Sequence, residues 1–91
     1  MFITSHDRQR MKRIEIKRLE CYLRATRWTL EEQQNDWRRR IWERLGYTVD
    51  VPGWAGFTDY DRRIADVLAT LARVEDRYPD AILDSLLEDE A

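Results

Sequence analysis

Residues 28–54 read WTLEEQQNDWRRRIWERLGYTVDVPGW, and how this stretch divides into elements decides the fold. It holds all four tryptophans, the Arg38-Arg39-Arg40 run and the only Pro-Gly pair. Thr29-Leu30-Glu31-Glu32 has the form of a capping box, in which the Thr29 hydroxyl accepts the Glu32 amide hydrogen and the Glu32 side chain reaches back. The box predicts a helix from about Leu30 to Leu45. Leu30, Trp37, Ile41 and Leu45 would share one face of it, and Gly46 falls where a helix end wants a left-handed residue.

After Gly46 the period changes. Tyr47-Thr48-Val49-Asp50-Val51 alternates apolar with polar, the pattern of a half-buried extended segment. Val51-Pro52-Gly53-Trp54 fits a type II turn, with proline at the first central position and glycine at the second. Residues 46–57 therefore read as an extended linker, too aromatic to float, with Trp54 and Phe57 pinning it to the core.

Upstream, Ser5 is placed to cap a helix with Asp7 in its first turn. That helix is expected from about His6 to Arg27. Its apolar residues fall on two stripes, one of Ile16, Leu19 and Leu23, the other of Met11, Ile14, Cys21, Tyr22 and Ala25. A surface helix needs one stripe, so two predict packing on both sides, either centrally or at a subunit contact. No Gly or Pro separates this helix from the next, which leaves one continuous helix from Ser5 to Leu45, ~60 Å long, as an alternative. Met1 to Thr4 reads as a flap over the core or a short edge strand.

Downstream, Thr58 is placed to cap a helix with Asp59 and Asp61 in its first turn. Tyr60, Ile64, Val67, Leu68, Leu71, Val74 and Tyr78 give the cleanest amphipathic pattern in the chain. Pro79 ends that pattern and suits the first turn of another helix, Asp80 to about Glu88, striped with Ile82, Leu83, Leu86 and Leu87. Together these elements predict an all-α fold: a single helical domain over residues 1–91, built as a small bundle of three to four helices with one extended aromatic linker at about 46–57.

The totals narrow the function classes. Ninety-one residues suffice for one small core. The net charge of −2 conceals an asymmetry: residues 1–45 hold 12 Lys/Arg against 7 Asp/Glu, and residues 46–91 hold 4 against 11. Such halves either meet each other, within a chain or between subunits, or offer the basic half to an anionic partner. Cys21 is the only cysteine, so no internal disulfide forms and a reducing, cytoplasmic setting is expected. No apolar run approaches the ~18 residues of a membrane span.

Three surfaces stand out as candidate sites. Trp42 with Arg38 and Arg39 joins the residue types that most often anchor interfaces, the alternative being that Trp42 lies under the linker or under the third helix. Ile82 and Leu86 head an amphipathic segment that fits a partner's groove or closes the protein's own core. Arg10, Arg13, Lys17, Arg24 and Arg27 form a basic stripe on the first helix, interrupted by Glu20, which suits phosphate contacts or a solvated face. No catalytic constellation is evident. His6 is the only histidine, Cys21 has no base near it in sequence, and neither a phosphate loop nor zinc-ligand spacing occurs. No metal or cofactor is expected.

The function expected from these features is that of a small, non-catalytic protein–protein interaction module. An adaptor, regulator or inhibitor would act by occupying a partner's surface, and self-association as a homodimer is expected as well. Compact accessory proteins of phages and mobile elements offer a loose analogy of type. The alternative is a nucleic-acid-binding protein that uses the basic stripe of the first helix.

Overall fold

The computed structural model describes residues 5–31 and 38–88, with side chains described for 9–31 and 38–87. The elements are α1 (Ser5–Lys12), α2 (Ile16–Ala25), β1 (Thr29–Leu30), β2 (Arg39–Arg44), β3 (Tyr47–Pro52), α3 (Tyr60–Glu75) and α4 (Pro79–Glu88). The fold is therefore mixed α and β, with a three-stranded antiparallel sheet in the order β1-β2-β3. This overturns the all-α expectation, and the correction lies within residues 28–54.

The expected second helix is replaced by strands. Thr29 and Leu30 form β1 and pair with Glu43 and Trp42. Residues 39–44 form β2, in register with β3 from Arg39 opposite Pro52 to Arg44 opposite Tyr47. The physical reason is the two-residue turn between them. Leu45 takes φ 53° and Gly46 φ 83°, both left-handed, as the twist-matched type I′ hairpin turn requires. Gly46 is needed for its positive φ, as expected, but it turns a hairpin instead of ending a helix. Arginine, glutamate and leucine favour helices by only a few tenths of a kcal/mol each. Burying Trp42, Val49 and Val51 on one sheet face outweighs that preference, at roughly 1.5–3 kcal/mol per large apolar side chain. Leu45, assigned to the buried helix face, is instead 76% exposed at the turn. Trp37 and Glu32, and with Glu32 the proposed capping box, lie outside the described residues, as does the segment Met1 to Thr4.

The extended segment after Gly46 is extended as expected, with Val49 and Val51 buried and Thr48 and Asp50 exposed. It is not a linker but an edge strand of the sheet. The type II turn does not form: Gly53 is not among the residues with positive φ, and its N–H donates to the Arg38 carbonyl at 2.9 Å, continuing the ladder. Trp54 does not pin the segment, being 55% exposed. It meets Phe57 edge-on at 5.3 Å between ring centroids, and Phe57 is the ring that packs against the core.

The expected first helix is two helices, α1 and α2, separated at residues 13–15. The break explains the two stripes. Met11 and Ile14 are buried before or at the bend, while Leu19 and Leu23 are buried after it. A straight helix cannot aim both sets at one core, and a bend can. Tyr60 fastens the bend by donating its hydroxyl to the Ile14 carbonyl at 2.5 Å. Cys21 and Ala25, assigned to the second stripe, are exposed.

At the end of α2, Arg27 sits at φ 73°. The Trp28 N–H donates to the Leu23 carbonyl at 2.9 Å and the Arg27 N–H to the Arg24 carbonyl at 3.1 Å. This is a Schellman ending with arginine in the position that usually takes glycine. It turns the chain into β1 without the glycine that would have announced a break, and it excludes the continuous helix from Ser5 to Leu45.

α3 matches its pattern, with Tyr60, Ile64, Val67, Leu68 and Leu71 all buried. Asp59, not Thr58, occupies the cap position, and no side-chain capping bond forms there. Tyr78 lies beyond α3 and is 83% exposed. α3 lies against β3, α1 and α4, and α2 touches α4. One core results, joining Trp42, Val49 and Val51 from the sheet to Leu23, Leu68, Leu71, Ile82 and Leu86 from the helices.

Candidate functional site

The hydrogen-bond phase of the hairpin determines which groups of β3 face outward. Bonded and non-bonded pairs alternate along an antiparallel ladder. Gly53 bonds Arg38, so Val51 with Arg40 and Val49 with Trp42 are the next bonded pairs in the register. Thr48 and Asp50 fall between them and direct their N–H and C=O groups away from β2. Among the described residues no strand pairs with that side.

α3 runs beside this edge. Its residues Asp66, Val67 and Thr70, with Asp59 and Arg63 from its start, face Thr48, Val49 and Asp50 across a groove of about 400 Å³. The valines form the floor and the carboxylates and hydroxyls the walls. Arg63 is held in place twice: its Nε donates to Asp59 Oδ1 at 3.0 Å, and its guanidinium lies over the Phe57 ring at 4.5 Å from the centroid. The Thr70 hydroxyl donates to the Asp66 carbonyl at 3.3 Å. Asp66 itself is exposed and its carboxylate forms no ion pair among the described residues.

A second hollow, of about 500 Å³, is lined by Arg38, Arg39, Asp50 and Arg63 and shares the last two with the groove. Arg39 reaches Asp50 at 3.6 Å. Two of the expected contact residues, Arg38 and Arg39, are thus exposed beside the groove. Trp42, Ile82 and Leu86 are 1%, 0% and 2% exposed, so these three take the buried alternative and present no anchor at the surface. Trp42 lies beneath Arg24, whose guanidinium is 5.7 Å from the ring centroid.

The basic stripe does not persist as one face. Arg10 and Arg13 precede the bend or lie in it, Lys17 and Arg24 lie on α2, and Arg27 lies past the end of α2. Arg10 forms an ion pair with Asp84 of α4. With Arg39 and Asp50, this is contact between the basic and acidic halves of one chain.

A polar cluster ties α2 to the end of α3 and to α4. The Tyr22 hydroxyl donates to Glu75, at 2.7 and 2.9 Å from its two oxygens. Arg77 donates to the Tyr22 oxygen and to Ser85 Oγ, each at 3.3 Å. Burial, followed by the Glu75 hydrogen bond, pushes the Tyr22 hydroxyl up to about 12. Burial also raises the Tyr60 hydroxyl. Both phenols stay protonated at neutral pH and act as donors. A cleft of about 490 Å³ between α2 and α4 exposes Cys21 beside Lys17 and Arg18. Among the described residues no group of three or more His, Cys, Asp or Glu side chains is arranged to hold a metal ion, and no helix is long and apolar enough to cross a membrane.

Sequence reasoning missed Thr48, Arg63, Asp66 and Thr70 as site residues. The alternation of Thr48, Val49 and Asp50 was visible, and so was a polar row on α3 beside its apolar stripe. Nothing local to either segment places one against the other. Compared with family models, curated proteins and solved structures, the chain matches none.

Proposed function

We propose that this protein is a small interaction module that occupies a partner by taking an extended segment of it as a fourth strand along β3. One observation carries the reading: β3 turns the backbone N–H and C=O groups of Thr48 and Asp50 outward, and α3 flanks them to form a groove. Strand addition draws affinity from main-chain hydrogen bonds and specificity from the flanking side chains. An open edge is ordinarily guarded against chance pairing. Here α3 flanks the edge, so an incoming strand must meet the Asp59, Arg63, Asp66 and Thr70 side chains as it pairs. No chemical step is part of the reading, and adaptor, regulator and inhibitor are all roles such a groove can serve. With one cysteine and no possible internal disulfide, a cytoplasmic setting belongs to the same proposal.

The test is selection of binding peptides from a displayed random library, followed by mapping of the selected peptides on isotope-labelled protein. Support is a set of peptides that shift the Thr48 and Asp50 amides and lose binding on Thr48→Pro. That substitution removes an outward N–H while leaving the β2–β3 ladder its bonds. Selected peptides that bind elsewhere, or indifference to Thr48→Pro in a folded variant, would overturn the proposal.

A further inference from the structure

We infer that the segment docking on β3 carries a lysine or arginine that enters the groove and meets Asp66; this rests on the strand-addition reading above. The one cation lining the groove, Arg63, is engaged with Asp59 at 3.0 Å, and Arg39 of the neighbouring hollow holds Asp50 at 3.6 Å. Asp66 is the carboxylate left over. It stands on α3 next to Val67, across from Val49, with the hydroxyls of Thr48 and Thr70 lining the same groove. An apolar floor leading to a carboxylate and two hydroxyls fits a side chain with an aliphatic stem and a cationic tip. Lysine offers three donors to such a rim, and arginine offers five.

The same chemistry argues against a second copy of this chain as the occupant. A symmetric pairing would lay one β3 against another, and Tyr47–Pro52 contains no lysine or arginine. Asp66 would stay unmatched, and each protomer would bring a further Asp50 into the seam. Like charges placed opposite across strands are destabilising.

Three eight-residue peptides test this against the full chain by fluorescence anisotropy and amide shifts: valine alternating with lysine, valine alternating with glutamate, and the lysine peptide with every backbone nitrogen methylated, so that neither edge can donate. The expected result is that the lysine peptide binds at least about tenfold tighter than the glutamate peptide, a difference of about 1.4 kcal/mol. It should move the Thr48, Asp50 and Asp66 signals, and Asp66→Lys should reverse the preference. Methylation should abolish binding, because a methylated strand cannot form the ladder.

Equal binding of lysine and glutamate peptides at β3 would overturn the cation inference and leave strand addition standing. Undiminished binding of the methylated peptide would show mere attraction to an acidic surface and overturn both. Absence of binding by every peptide would also overturn both. Occupation of the edge by a second copy would appear as dimeric mass lost on Thr48→Pro, and it too would overturn the inference.

Discussion

The indole Nε1 of Trp42 donates to Glu20 Oε2 at 2.9 Å, joining the middle strand of the sheet to α2. Arg40 Nε donates to the same oxygen at 2.6 Å. Glu20 broke the expected basic stripe, and the structure shows what its carboxylate does: it satisfies a buried indole and pairs with an arginine on the same strand face.

Glu20→Ala is expected to destabilise the protein by about 2–3 kcal/mol, since it leaves the Trp42 donor buried without a partner and removes the Arg40 pair. Glu20→Gln keeps one acceptor and is expected to lose about half as much. Urea unfolding of the three proteins checks the order; equal stability of wild type and Glu20→Ala would contradict the bond's importance.

The two buried indoles should respond differently to phenylalanine. Trp28 is 4% exposed, and its Nε1 has no hydrogen-bond partner among the described residues. Trp28→Phe removes an unsatisfied donor, so part of the lost packing is offset; Trp42→Phe removes a satisfied one. Trp42→Phe is expected to be the more destabilising by about 1 kcal/mol or more, measured from paired denaturant midpoints.

The hairpin turn offers a direct test of the fold. Leu45→Asn replaces an exposed leucine in a left-handed conformation with a residue suited to it, making the Asn-Gly pair that type I′ turns favour. A gain of roughly 0.5–1 kcal/mol is expected from relieving part of the left-handed penalty. In a helix ending at Leu45 the same change would destabilise. Gly46→Ala should cost at least about 1 kcal/mol, and strain alone accounts for it, because nothing lies within 4 Å of the added Cβ.

Tyr22 makes stability fall at high pH. Its hydroxyl ionises at about 12 in the folded chain against 10.0 ordinarily. A group whose folded pKa is raised contributes stability fully below the unfolded value and loses it as pH climbs through the folded one. The protein is therefore expected to lose stability between about pH 10 and 12, with Tyr60 adding in the same direction. The loss attributable to Tyr22 stays below about 2.7 kcal/mol, the full linkage of two pKa units, because the ring is only half-buried and solvent screens it. Tyr22→Phe should flatten the profile in that window, as followed by thermal unfolding across pH.

Sequence alone determined the elements whose pattern is local and repeated. α3 and α4 could be read from Ile64, Leu68, Leu71, Ile82 and Leu86, because 3.6-residue periodicity reports burial directly. The extended character of Tyr47–Pro52 was legible from its alternation, and so was the need for positive φ at Gly46. Tertiary structure decided the rest. Whether residues 39–44 coil or extend depended on β3 lying opposite them, a contact that outweighs the weak helix preference of arginine and glutamate. Arg27 and Asp76 take left-handed φ without being glycine, so the helix ends they make left no mark in composition, and Gly46 alone could not tell a hairpin turn from a helix end. The groove needed both conditions at once: β3 had to be an edge, and α3 had to lie beside it. Its walls come from residues distant in sequence, and only the shared burial of Val49 and Val67 brings them together.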